Sequence, residues 1–174
     1  MVQEEIDRAL QRAGITDPAF RRLCIEQGCD FTFTEMVSAK GLHYNNKKTK
    51  ELIDISPIER PCGVQLFGHE PEIIADKTVD MVGRAARYIG VEADRVQVLC
   101  PMKNGAAGAI NINKRLQTAL NGDEKTGITE GDYVYRAGDK VMHIVNNYDL
   151  EWKIASGYTY REGTGVFNGD IGTV

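Results

Sequence analysis

The stretch DFTFTEMVSAKGLHYNNKKTKELIDISPIERPCGVQLFGHEPEIIADKTVDMVGRAARYIG, residues 30–90, decides the fold class. It opens by alternating Phe31, Phe33 and Glu35 against Thr32, Thr34 and Met36, and aromatic and β-branched residues at period two read as a strand. A second, short buried strand is expected in CGVQLFG, between Gly63 and Gly68. The segment joining them carries Lys40, Lys47, Lys48 and Lys50 in a polar loop or helix start, either as solvated surface or as a patch for phosphates. After the second strand, Ile73, Ile74, Met81, Val82, Ala85 and Ile89 supply the apolar side of one long helix. Strand and helix in succession predict parallel α/β packing.

Upstream, EEIDRALQRAG places acidic residues before basic ones, the order that complements a helix dipole. TDPAFRRLCIEQG follows as a second helix, with Asp17 as cap, Pro18 as first helical residue and Gly28 as stop. Downstream, VQVLCP predicts one more strand, which leads through the glycine-rich loop MKNGAAG into the helix INKRLQTALNG. Beyond Gly122 the rhythm changes to short alternating strands with Gly-Asp turns, which predicts a small antiparallel β unit. Its FNGD places Asn168-Gly169 between apolar flanks, a strong hairpin signal. The last strand, ending at Val174, reads as one without a partner.

Composition narrows the function classes. The chain has 174 residues, a net charge of −4 and 42% apolar residues, so any nucleic-acid surface must be a local patch. No run approaches the roughly 18 apolar residues of a membrane span, and the charged start MVQEEIDRALQRAG lacks a secretory apolar stretch; a cytoplasmic protein without membrane partners is expected. Cys24, Cys29, Cys62 and Cys100 form no C-x-x-C pair and have no His at ligand spacing, so no metal site is expected. A strand, glycine loop and helix can hold an anion on free N–H groups, but no G-K-[ST] follows Gly105 to Gly108. The dinucleotide pattern G-x-G-x-x-G and the G-x-S-x-G nucleophile elbow are also absent, and no catalytic residue is assigned.

The landmarks AGITDPAFR, TEMVSAKG and VQLFGHEPE, in this order within residues 13–77, resemble the amino-terminal part of bacterial tRNA-dihydrouridine synthases. The resemblance implies a flavin-dependent (β/α) barrel that reduces uridines in tRNA, with its site at the carboxyl ends of the strands. It makes Gln65 and Ala13 the candidate cofactor-binding residues: Gln65 matches a position that contacts FMN, and Ala13 closes a tripeptide that touches it. The family has Pro-Met-Ala there, where this chain has Gln11, Arg12 and Ala13. The family's N-x-G-C-P motif, whose Cys donates a proton to the pyrimidine, does not occur, and Cys100 stands in a different setting, VLCPMKNG.

A second resemblance rests on CPMKNGAAG, NNY and VFNGDIGTV, over roughly residues 79–174. These look like the second motor domain of RecD-like DNA helicases and its SH3-like β module. That resemblance implies contact with single-stranded DNA, for which Lys103, Asn104, Asn146 and Asn147 are the candidates, turn formation being the other reading of each. Tyr148 and Trp152 could stack on bases or fill the core of a small barrel. The two resemblances meet near Asp76 to Asp80, so the chain reads as a chimera.

The expected architecture is α/β: an incomplete (β/α)-barrel-like layer over residues 1–78, a motor-domain-like strand and helix over 79–122, and an SH3-like antiparallel β module over 123–174. The leading functional expectation is a nucleic-acid-binding remnant of a RecD-like helicase without an ATP site. A truncated FMN-dependent tRNA-dihydrouridine synthase comes second, and a chimeric α/β protein without selected activity third. Expected partners are single-stranded DNA or tRNA, with self-association through exposed strand edges. No tightly bound cofactor is expected, except FMN under the synthase reading.

Overall fold

The computed structural model describes residues 16–89, 95–122 and 126–174. The helix expected in residues 4–14 lies outside them. Contacts divide the chain into two compact units, residues 1–115 and 116–174.

In the first unit, α1 (Pro18–Glu26) starts where expected: the Asp17 carboxylate accepts from the Phe20 N–H at 2.8 Å, and Pro18 occupies the first turn. It stops at Gly28, whose φ of +91° is the left-handed conformation of a helix-ending turn. β1 (Thr32–Ser38) then pairs in parallel with β2 (Cys62–Phe67), from Thr32 beside Cys62 to Ser38 beside Phe67. Between the strands lie α2 (Ala39–His43), capped by the Ser38 hydroxyl, α3 (Lys47–Glu51), capped by the Asn46 side chain, and a 3-10 turn (Pro57–Glu59). α4 (Pro71–Ile89) is the long helix that the apolar spacing predicted. α5 (Ala109–Asn121) follows the glycine loop, and Arg115 on it bridges Glu72 and Asp76 of α4.

The structure adds the sense of one strand and corrects the expectation of another. The alternation in β1 has the opposite sense to an apolar-in strand: Thr32, Thr34 and Val37 are buried, and Phe31 and Phe33 are exposed. Burying the threonines leaves no hydroxyl unsatisfied, since Thr32 bonds the Cys62 sulfur at 3.6 Å and Thr34 bonds the Glu35 carbonyl at 2.8 Å. The two phenyl rings meet edge to face at 5.0 Å, and that of Phe33 lies over Gly63, across the ladder. Residues 96–101 form no strand, and Leu99 is 84% exposed. An apolar run becomes a strand only where a neighbouring backbone pairs with it, and β2 pairs with β1 alone among the described residues.

The unit's interior is organised by a buried ion pair that composition did not announce. Arg21 on α1, fully buried, reaches Glu59 in the 3-10 turn with Nε and Oε2 at 2.6 Å, while its other nitrogens donate to the carbonyls of Thr16 at 2.8 Å and Asp54 at 3.3 Å. Glu59 spends its second oxygen on the Ser56 N–H at 3.1 Å. Thr16 and Glu35 are joined as well, the Thr16 hydroxyl and N–H both bonding Oε1 of Glu35.

Among its described residues the second unit holds three antiparallel pairs: β3 (Gly127–Glu130) with β4 (Tyr133–Arg136), β5 (Lys140–Met142) with β8 (Ile171–Thr173), and β6 (Asn147–Ser156) with β7 (Thr159–Val166). The Gly-Asp turn is where expected, Gly131-Asp132 between β3 and β4. The Asn168-Gly169 hairpin is not. Residues 167–170 do turn, with the Asp170 N–H on the Phe167 carbonyl at 3.0 Å, but β7 and β8 lie in different pairs. The local turn signal is real, whereas the partner it implies is decided elsewhere in the chain. The strand at the end also has a partner, β5, and the Val174 N–H bonds the Asp139 carbonyl at 2.9 Å.

Asp139 ties this unit together. Its carboxylate accepts from the Asn121 amide at 2.7 Å, the Arg136 N–H at 2.8 Å and the Gln117 amide. Burial alone would raise this carboxyl, but the bonds from Asn121, Arg136 and Gln117, with the Arg136 charge, hold it below the ordinary Asp range. A depressed folded-state pKa contributes stability above the unfolded value and loses it as pH falls through the folded one. The unit is therefore expected to lose stability as pH drops below about 4. Asp139→Asn should remove that dependence and cost about 1–3 kcal/mol at neutral pH. Trp152, the only tryptophan, lies in β6 with its Nε1 on the Gly165 carbonyl at 3.0 Å, so its fluorescence reports on this unit.

Candidate functional site

In a parallel pair the two carboxyl ends lie side by side, and here they open on a cavity of about 380 Å³. Ser38 and Lys40 reach it from the end of β1, and Phe67, His69 and Glu70 from the end of β2, with Ile73 of α4 behind them. Lys40 and Glu70 form an ion pair across it, and His69 Nε2 stands 3.4 Å from the same Glu70 oxygen. The Glu70 hydrogen bond and charge raise the Lys40 pKa; the Lys40 hydrogen bond lowers that of Glu70, with the Lys40, His69 and His43 charges assisting against burial. Both groups are exposed, so the pair is a polar clasp at the cavity mouth rather than a store of stability.

Gln65 is exposed in β2, beside Met36 in the ladder and two residues before Phe67, hence on the same face of its strand. That face is otherwise apolar, with Phe33, Met36 and Phe67 all exposed. A planar ring could lie against it, with the Gln65 amide at the ring edge. Ala13 lies outside the described residues. Lys47, Lys48 and Lys50 are exposed on α3, a few residues past the β1 end of the cavity, and pair with no carboxylate among the described residues.

The other candidates are placed differently. Lys103 and Asn104 are exposed in the glycine loop, whose carbonyls turn inward onto the start of α5: the N–H groups of Gly108, Ala109 and Ile110 bond the carbonyls of Gly105, Met102 and Lys103 at 3.0, 3.0 and 3.1 Å. The loop that could have held an anion on free N–H groups is closed on itself. Its donors are spent on the loop itself, and carbonyl oxygens fill the position an anion would take. In the second unit, Asn146 accepts from the Asn168 N–H at 2.8 Å and donates to the Tyr148 hydroxyl at 3.1 Å, and Asn147 accepts from the Asp149 N–H at 3.1 Å. Both amides shape turns. Tyr148 is 67% exposed and meets Phe167 edge to face at 5.7 Å.

The family model for dihydrouridine synthases matches residues 11–106, more than half of the chain. The chain belongs to the dihydrouridine synthase family. Residues 112–174 match a second family model, the SH3 domain of ATP-dependent RecD-like DNA helicases. The synthase match ends in the glycine loop and the helicase match begins in the first turn of α5.

Among curated relatives, a probable tRNA-dihydrouridine synthase of Treponema pallidum is 33% identical over 102 residues, 56% of this chain and 29% of that protein. One from Aquifex aeolicus is 45% identical over 67 residues, 38% of this chain and 21% of that protein. The tRNA-dihydrouridine synthase B of Pseudomonas syringae is 23% identical over 156 residues, 76% of this chain and 45% of that protein. The chain thus spans less than half the length of each. These relatives favour the synthase reading over the helicase reading, which stood first on sequence.

Among the described residues no helix is long and apolar enough to cross a membrane.

Proposed function

We propose that this chain is an RNA-contacting part of a dihydrouridine synthase, which holds the backbone of tRNA along α2 and α3 beside the cavity at the strand ends. The observation that carries the reading is the sequence of features leaving β1: the strand ends at the cavity, and the chain then presents Lys47, Lys48 and Lys50 on α3 with no carboxylate partner among the described residues. Ammonium groups without carboxylate partners can neutralise phosphates without first breaking an ion pair.

Gln65 and the apolar face beside it suit a ring edge, and Lys40, the cation at the cavity, is paired with Glu70. RNA contact is therefore the reading put first, ahead of flavin binding. Binding is tested by fluorescence anisotropy of labelled tRNA over a range of salt. Replacing Lys47, Lys48 and Lys50 together by Gln is expected to weaken binding at low salt and to lower the slope of log K against log salt by roughly 2 to 3. An unchanged slope would remove α3 from the interface.

A second reading is supported by the helicase SH3 match and the exposed ring of Tyr148: contact of residues 112–174 with single-stranded DNA. The same titration with a single-stranded DNA oligonucleotide separates the two. Under the synthase reading the lysine variant loses tRNA; under the helicase reading it keeps its DNA affinity, and Tyr148→Ala loses it.

A further inference from the structure

We propose that Cys24 and Cys29 are a thiol pair that closes to a reversible disulfide, stapling the carboxyl end of α1. Neither the flavin nor the RNA reading uses these residues. The placement comes from the way α1 ends: the Cys29 N–H bonds the Cys24 carbonyl at 3.0 Å, and the Gly28 N–H bonds the Ile25 carbonyl at 2.9 Å, with Gly28 left-handed between them. These are the paired bonds of a Schellman motif, in which the residue three back in the helix and the one after the left-handed residue bring their side chains together. Here both of those residues are cysteines. A backbone hydrogen bond joining them directly keeps their Cα atoms within the roughly 4.4–6.8 Å that a disulfide spans.

The two thiols differ in a way that sets the order of reaction. Cys29 is half-exposed, its Sγ–H on the Phe31 carbonyl at 3.1 Å, whereas Cys24 is 4% exposed, with its thiol pushed up by burial and by the neighbouring Cys29. Access favours Cys29 as the first to react. With a low-molecular-weight disulfide as oxidant, the Cys29 thiol gives up its proton and its sulfur attacks one sulfur of that disulfide. The old S–S bond breaks, and the departing thiolate takes the proton. The Cys24 thiol then loses its proton and attacks Cys29 Sγ, expelling the second small thiolate, which takes that proton. Two protein thiols are oxidised and one small disulfide is reduced to two thiols.

The test uses the full chain incubated with oxidised glutathione, quenched with an alkylating agent and digested with trypsin. Residues 23–40 form one tryptic peptide containing both cysteines. The expected product is that peptide lighter by two hydrogens and unalkylated, and restored to the doubly alkylated form when dithiothreitol precedes the quench. Cys29→Ser should abolish the product and leave Cys24 a free thiol, and because Cys29 is half-exposed this variant keeps the fold. A lasting glutathione adduct on Cys29, or linkage of either residue to Cys62 or Cys100, would overturn the proposal.

Discussion

Glu59→Ala is expected to destabilise the first unit by about 3–5 kcal/mol, because it leaves the Arg21 guanidinium buried without a counter-charge. Arg21 is fully buried and Glu59 is 2% exposed, so water cannot replace the lost partner without opening the packing of α1 on the 3-10 turn. Removing the whole pair is a smaller perturbation than removing half of it. The double variant Arg21→Met, Glu59→Leu should recover much of the loss, short of the bonds Arg21 makes to the Thr16 and Asp54 carbonyls. Burial alone would raise the Glu59 carboxyl, but the bonds from Arg21 and Ser56 outweigh it and hold it below the ordinary Glu range. The pair therefore contributes stability above that range and loses it as pH falls through the folded-state value. Urea unfolding followed by far-UV circular dichroism measures the change, with Trp152 fluorescence as a monitor of the second unit. A parent-like midpoint for Glu59→Ala would show that the pair is not what holds α1 in place.

The difference between this clasp and the features legible in sequence is one of range. Asp17, Pro18 and Gly28 act within one turn of their own backbone, so both ends of α1 can be read from them directly. The apolar spacing from Ile73 to Ile89 likewise carries α4 by itself. Arg21 and Glu59 are 38 residues apart, and nothing local says that a surface-type Arg on α1 will be buried against a 3-10 turn. In β1 the period was readable and the sense was not. Thr32 and Thr34 find partners inside, and the ladder irregularity between Phe33 and Met36 resets which residues face in, so that Val37 is buried. Residues 96–101 and Asn168-Gly169 misled for the same reason, since their composition is right and the pairing partner is not supplied locally. Of the candidate site, Gln65 came from family resemblance alone. The cavity depends on the parallel register of two strands with 23 residues between them, after Ser38 and before Cys62.

Gly108→Ala should open the glycine loop. A Cβ built on Gly108 would stand 2.3 Å from the Asn104 carbonyl oxygen, 2.5 Å from its carbon and 2.8 Å from the Lys103 oxygen. All three are backbone atoms of the same loop, so no side chain can swing aside to make room. The loop must move off the helix start, and the bonds from Gly108, Ala109 and Ile110 to Gly105, Met102 and Lys103 move with it. Forcing a methyl into such a contact costs about 1–3 kcal/mol. The loss should concentrate here rather than spread to α4, because Arg115 still anchors α5 to Glu72 and Asp76. Hydrogen exchange at the amides of residues 108–110 is therefore expected to speed up in the variant by about tenfold or more, each 1.4 kcal/mol being a factor of ten. In the parent, inorganic phosphate should leave these amides unshifted by NMR, since their hydrogens are already donated to loop carbonyls. In the variant the same N–H groups lie free at the positive end of a helix dipole, and phosphate should shift them. Protection unchanged by the methyl, or phosphate shifts already present in the parent, would show that the loop is not closed on the helix in the way these bonds describe.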